Sequence, residues 1–145
     1  MAKFNFRLNK VLEYREKIEE INKNEYGRAK KILDDEVVLL EGILSHKESV
    51  NYERDKITLN TTINDLRNYN RYLENVKDKL IEQKTLVEKA QKDVESARYK
   101  LISSSIDKKT LENLKSRDLD NYLYKMKKEE EKIVDQIVCY KSSMK

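Results

Sequence analysis

The sequence predicts an all-α protein: two long helices folded into an antiparallel coiled-coil hairpin, the second longer and overhanging at the end that carries both termini. Three observations predict it. The 145 residues include no proline and only two glycines, where average usage would supply roughly seven and ten, so almost nothing breaks a helix. From Leu66, the residues Tyr69, Leu73, Val76, Leu80, Gln83, Val87, Ala90, Val94, Ala97 and Leu101 climb in alternating steps of three and four. That is the period of a seam with a partner helix lying along it. Between the two helical stretches, Thr58–Asp65 replaces a Lys/Glu/Leu background with β-branched and Asx residues, which favour caps and turns.

Composition agrees. The length suits a single domain, 1–145 as one coiled-coil unit. Charged residues make up 40% of the chain and hydrophobic residues 38%, with no Trp. This is too polar for a thick globular core but suits a narrow seam with solvated faces. Disorder is the competing account of so much charge, but a disordered chain does not hold heptad phase through five turns and more.

The first helix is expected from about Phe4 to Ile57. Its apolar residues, among them Leu8, Leu12, Ile18, Leu33, Leu40 and Ile43, fall mostly in one stripe, which Arg15, Asn22 and Glu36 interrupt. Gly27 and Gly42 would each cost about 1 kcal/mol relative to Ala in a helix interior. Either packing tolerates them or they allow close approach. The turn is placed at about 58–63, where Thr62 and Asp65 form a capping pattern with Asp in place of the usual Glu.

The second helix is expected over about 63–141. Ser103-Ser104-Ser105 is a lesser break, read as a solvated helical stretch. After Leu111 and Leu114 the phase slips, and the seam is expected to resume at Leu119, Leu123 (or Tyr122), Met126, Ile133, Ile137 and Tyr140. Such an insertion locally unwinds a supercoil. Folding at residue 60 leaves some 20 to 25 residues of the second helix beyond the first, roughly 30–38 Å at 1.5 Å per residue. An apolar stripe there without a partner is a binding surface or a fraying liability, unless Phe4, Phe6 or a second copy covers it.

Charge narrows the function. The net charge is +4, from 31 basic and 27 acidic residues. The signs are interleaved, with Glu13 and Lys17, Glu19 and Lys23, and Glu88 and Lys92 at i,i+4. A nucleic-acid binder would show a basic stripe or an Arg cluster before its heptads, so nucleic acid is not an expected partner. A single cysteine, Cys139, excludes an internal disulfide framework and fits a reducing compartment. No run of 18 apolar residues occurs, and the opening Met1–Arg7 lacks the apolar centre of a signal peptide. A cytosolic protein without membrane insertion is expected.

Sites of chemistry are absent by the same reasoning. His46 is the sole histidine, so no His-based metal site or triad assembles. Cys139 has no neighbouring histidine, and neither glycine lies in a phosphate loop. Glu129-Glu130-Glu131 splay about 100° apart on a helix and do not converge on one ion. The expectation is a non-enzymatic chain with no catalytic, cofactor or metal residue. Nine tyrosines are the informative oddity, because aromatics concentrate at protein contacts. Tyr69 and Tyr72 follow the turn, whereas Tyr122, Tyr124 and Tyr140 mark the other end. Tyr72, one step off the seam, is the better contact residue.

Three segments resemble the FliJ family of flagellar export proteins, over essentially the whole length. They are Phe4-x-Phe6-Arg7-Leu8-x-Lys10-Val11-Leu12, then Leu66-x-x-Tyr69-x-x-Tyr72-Leu73, then Leu111-Glu112-x-Leu114-Lys115 followed by Glu130-Glu131-Lys132-x-x-Asp135. Gln136 stands where the family often carries a second acidic residue. The resemblance implies a coiled-coil stalk similar to that of rotary ATPases, peripherally associated with the inner face of the cell membrane through the export apparatus. Its implied partners are the export ATPase hexamer, the cytoplasmic domain of the export gate, and export chaperones. Carried over by position, the gate-facing residues are Tyr69, Tyr72, Leu73, Val76 and Gln83, with Lys79 on that face in place of the family's small residue. The ATPase-facing residues are Phe4, Leu8, Met126, Glu130, Ile133 and Ile137. The rival expectations are the equivalent stalk of a virulence secretion system, a cytosolic scaffold that dimerises along the exposed stripe, and, more distantly, a nucleic-acid rod.

Overall fold

The computed structural model describes residues 3–144. Helix α1 spans Asn9–Ile57 and helix α2 spans Ile63–Ser143. The two pack against each other in opposite directions, and no strand occurs among the described residues. The contacts fall into two compact units, one of Asn22–Leu101 and one comprising the chain up to Ile21 and from Ile102 onward. Both helices contribute to each unit.

In the Asn22–Leu101 unit, hereafter the hairpin unit, the α2 ladder is the core. Val76, Leu80, Gln83, Val87 and Ala90 are buried, as is Val50 of α1. Each fully buried Val or Leu side chain is worth about 1.5–3 kcal/mol relative to exposure. The polar residues that had seemed to interrupt α1 instead occupy seam positions and find partners on α2. Gln83 Nε2 donates to the Glu36 backbone carbonyl at 2.9 Å and also to the Glu36 carboxylate. Asn22 Nδ2 donates to the Lys100 carbonyl at 3.3 Å, and Arg54 Nη1 donates to Asn70 Oδ1 at 3.4 Å. Polar seam pairs of this kind fix register, since a slip leaves them unmatched.

Local hydrogen bonds close the turn. Asn60 N–H donates to the Ile57 carbonyl at 3.0 Å and the Thr58 hydroxyl donates to the Arg54 carbonyl at 2.7 Å, ending α1. Thr62 Oγ1 then accepts from Asp65 N–H at 3.2 Å, which makes Thr62 the N-cap of α2. The Asp65 carboxylate accepts from the Thr61 hydroxyl at 3.3 Å. Neither glycine marks a close approach: a Cβ at Gly27 or Gly42 would meet nothing within 4 Å.

The other unit, hereafter the terminal unit, departs from expectation in two ways. First, α1 starts at Asn9, and residues 3–8 are not helical. Asn9 N–H donates to the Phe6 carbonyl at 3.1 Å. Leaving the helix lets this aromatic segment lie against α2, with Phe6 buried and the Phe4 ring centred 5.5 Å from that of Tyr122. Second, the seam of α2 does not slip after Leu111. It keeps phase through Ser104, Lys108, Leu111, Asp118 and Tyr122, all buried or half-buried. Charge pairs replace apolar contacts along part of it. Lys108 Nζ lies 3.0 Å from Glu19 Oε1, and Arg15 Nη1 lies 3.3 Å from Asp107 Oδ2. Ser103–Ser105 is uninterrupted helix, and Ser104 packs in the seam as a small buried residue.

Candidate partner-binding surfaces

What slips is the apolar ladder, which leaves the seam. Leu119, Leu123, Met126, Ile133, Ile137, Tyr140 and Met144 hold alternating steps with Glu130 among them, one residue round the helix from the seam positions Asp118 and Tyr122. Leu119 and Leu123 are already 38% and 54% exposed while the seam still closes beside them. Met126 is the last residue of α2 that is not exposed. Every residue from 127 to 144 is exposed, a length of about 27 Å at 1.5 Å per residue. Ile133 and Ile137, at 57% and 50% exposure, are flanked by exposed Val134 and Val138. Phe4 reaches α2 one turn before this stretch. Lys3, Phe4, Asn5, Asp118, Asn121, Tyr122 and Lys125 line the cleft there, so the aromatic segment stops short of the exposed stripe. Of the six ATPase-facing candidates, Glu130, Ile133 and Ile137 are exposed, whereas Phe4, Leu8 and Met126 are half-buried.

The gate-facing candidates divide differently. Val76 and Gln83 are buried in the hairpin seam, and Leu73 and Tyr69 are half-buried there. In this conformation they position the hairpin rather than present a surface. Tyr72 is the exposed member. Its hydroxyl lies 2.5 Å from His46 Nε2, and the two rings meet edge to face at 5.7 Å. Tyr72 is the wall between two grooves. One, of about 370 Å³, is lined by Val38, Leu39, Gly42, Ile43 and His46 from α1 and by Tyr72, Val76 and Lys79 from α2. The other, of about 460 Å³, is lined by Ile57, Asp65, Asn68, Tyr69 and Tyr72. Gly42 lines the first groove without a side chain, and exposed Val38 and Leu39 line it beside Gly42.

The α1 side of this groove escaped the sequence reading. Val38 was invisible as a surface residue because it stands beside Val37, Leu39 and Leu40 in a continuous apolar run. Spacing alone assigns no neighbour to Gly42 or His46. Among the described residues, no three His, Cys, Asp or Glu side chains gather to hold a metal ion. No helix among them is long and apolar enough to cross a membrane.

These features define a class: antiparallel two-helix coiled coils whose seam is filled by their own chain and whose remaining apolar faces stay open to other molecules. The chain belongs to the FliJ family of flagellar proteins, since the family profile described as Flagellar FliJ protein matches residues 4–144. That places it in flagellar export, a type III secretion route. Among solved structures, CT670 of Chlamydia trachomatis, described as a YscO homolog, shares the fold with a TM-score of 0.62. The similarity covers 93% of each chain at 19% identity. No curated protein sequence matches the chain.

Proposed function

We propose that the protein is a non-catalytic stalk of the flagellar export apparatus, linking the export ATPase ring to the export gate. The observation that carries this reading is the ladder from Leu119 to Met144. An apolar series in heptad phase, exposed throughout its last 18 residues, has no reason to persist in a chain of this polarity unless a partner covers it. Ile133 and Ile137 at its centre insert into the ATPase ring, and Glu130 meets a basic group there. The gate contacts the groove beside Tyr72, where Val38, Leu39 and Lys79 supply an apolar edge and one positive charge. This reading keeps Tyr72 from the resemblance and assigns Val76 and Gln83 a supporting role beneath it.

The experiment separates the two ends. Immobilised gate cytoplasmic domain and soluble ATPase are each offered the intact chain, a Leu39→Asp/Tyr72→Ala variant and an Ile137→Asp variant. The reading expects the first variant to lose gate binding alone and the second to lose ATPase binding alone. Retention of both partners by both variants would remove it. The family match supports the flagellar reading, and the equivalent stalk of a virulence secretion system is the alternative. The fold shared with a YscO homolog is compatible with either system.

A further inference from the structure

α1 carries a second apolar stripe that the seam does not use. In the terminal unit, Val11, Tyr14, Ile18 and Ile21 keep steps of three and four but lie to one side of the seam residues Leu8, Leu12, Arg15 and Glu19. Val11, Tyr14 and Ile21 are 41%, 60% and 56% exposed, and Ile18 is half-buried. Charge is segregated around this stripe. At about 100° per residue, Lys10 and Lys17 fall along one border and Arg15 along the other. Glu16 and Glu20 fall on the far side of the helix, and Glu13 lies about 40° beyond Lys17. Lys10 and Lys17 are exposed and form no ion pair among the described residues. Arg15 pairs with Asp107 of α2 at 3.3 Å, so that border is neutral and the free positive charge lies along the Lys10 and Lys17 border.

An apolar stripe with a basic border is poorly matched to an antiparallel copy of itself, because lysines would then face lysines across the shared seam. It is matched to a helix with apolar a and d positions and acidic borders. We infer that Lys10–Ile21 of α1 is a docking face for an acidic amphipathic helix. The occupant belongs to another protein, and the face is built from residues other than those of the Leu119–Met144 ladder, so it stands whether or not that ladder engages an ATPase.

The test uses the full-length chain, isotope-labelled, titrated with a three-heptad peptide bearing Leu at a and d and Glu at e and g. A counterpart with Lys at e and g is titrated in parallel. The Glu peptide should perturb the amides of Lys10–Ile21, and the Lys peptide should not. Lys10→Glu/Lys17→Glu and, separately, Ile21→Asp should each weaken the Glu peptide about tenfold or more, whereas Ile133→Asp should leave it unchanged. These positions are exposed, and circular dichroism checks that each variant keeps its helix content. The proposal is overturned by equal binding of the two peptides, by no binding of either, or by loss in Ile133→Asp with retention in Lys10→Glu/Lys17→Glu. A dimer in sedimentation equilibrium that Ile21→Asp abolishes would overturn it in favour of a second copy as occupant.

Discussion

Lys108 shows how a seam tolerates charge. Its ammonium donates to Glu19 at 3.0 Å, and this hydrogen bond is the main reason its pKa lies above the ordinary lysine value of 10.5; desolvation opposes it and the fields of Glu19, Glu112 and Glu16 add to it. A raised amine pKa means the folded state holds the proton more tightly. The stabilisation is therefore complete below pH 10.5 and is lost as the pH rises through the folded value. The difference in Tm between the intact chain and Lys108→Met should accordingly hold constant from pH 8 to about pH 10 and shrink above it, as thermal melts across that range will show. Gln83 is a second case. It is buried and donates to the Glu36 carbonyl, so Gln83→Ala should cost about 1–3 kcal/mol in denaturant titrations through the unpaired acceptor and lost packing. Hydrophobicity alone presents Arg15, Asn22 and Glu36 as faults in the first helix. They fall in step with the seam, but their partners lie between 47 and 92 residues away. Such pairings become visible only once the register of the hairpin is fixed.

At the scale of the element, α2 does two jobs in sequence. As far as Tyr122 it closes a seam with its own chain, and beyond Met126 its side chains face outward. Stability should follow that division. Leu80→Ala, in the buried ladder, should cost about 2–5 kcal/mol. Ile133→Ala, in the exposed stretch, should stay within about 0.5 kcal/mol. Urea unfolding of the two variants compares them directly. The helix start is a smaller test: Thr62→Ala removes the acceptor for Asp65 N–H and should cost about 1 kcal/mol. The sequence was legible here because a capping residue acts through neighbours three positions away. The beginning of α1 was not legible. Phe4 and Phe6 look like the first turn of an apolar stripe, but both lie outside the helix, with Phe4 against Tyr122, and contact across more than a hundred residues leaves no local signal. The expected slip of the seam after Leu111 does not occur. Polar residues such as Lys108 and Asp118 carry the seam onward while the apolar residues leave it, and apolar spacing alone does not separate the two.

For the whole molecule, the distribution of open faces is what bears on function. The hairpin unit offers a two-sided groove beside Tyr72, and the terminal unit offers the Leu119–Met144 ladder. A scaffold that dimerises through the ladder would place Glu130 opposite apolar or acidic groups of its own copy. Light scattering at micromolar concentration should therefore report a monomer. The central claim is that the ladder engages the export ATPase. It is tested most directly by measuring ATP hydrolysis by that enzyme as the full-length chain is titrated in, alongside Ile133→Asp of matched helix content. The account predicts a saturable rise in activity with the intact chain and at least about a tenfold loss of apparent affinity for the variant. No response to the intact chain, or the same response to Ile133→Asp, would contradict it.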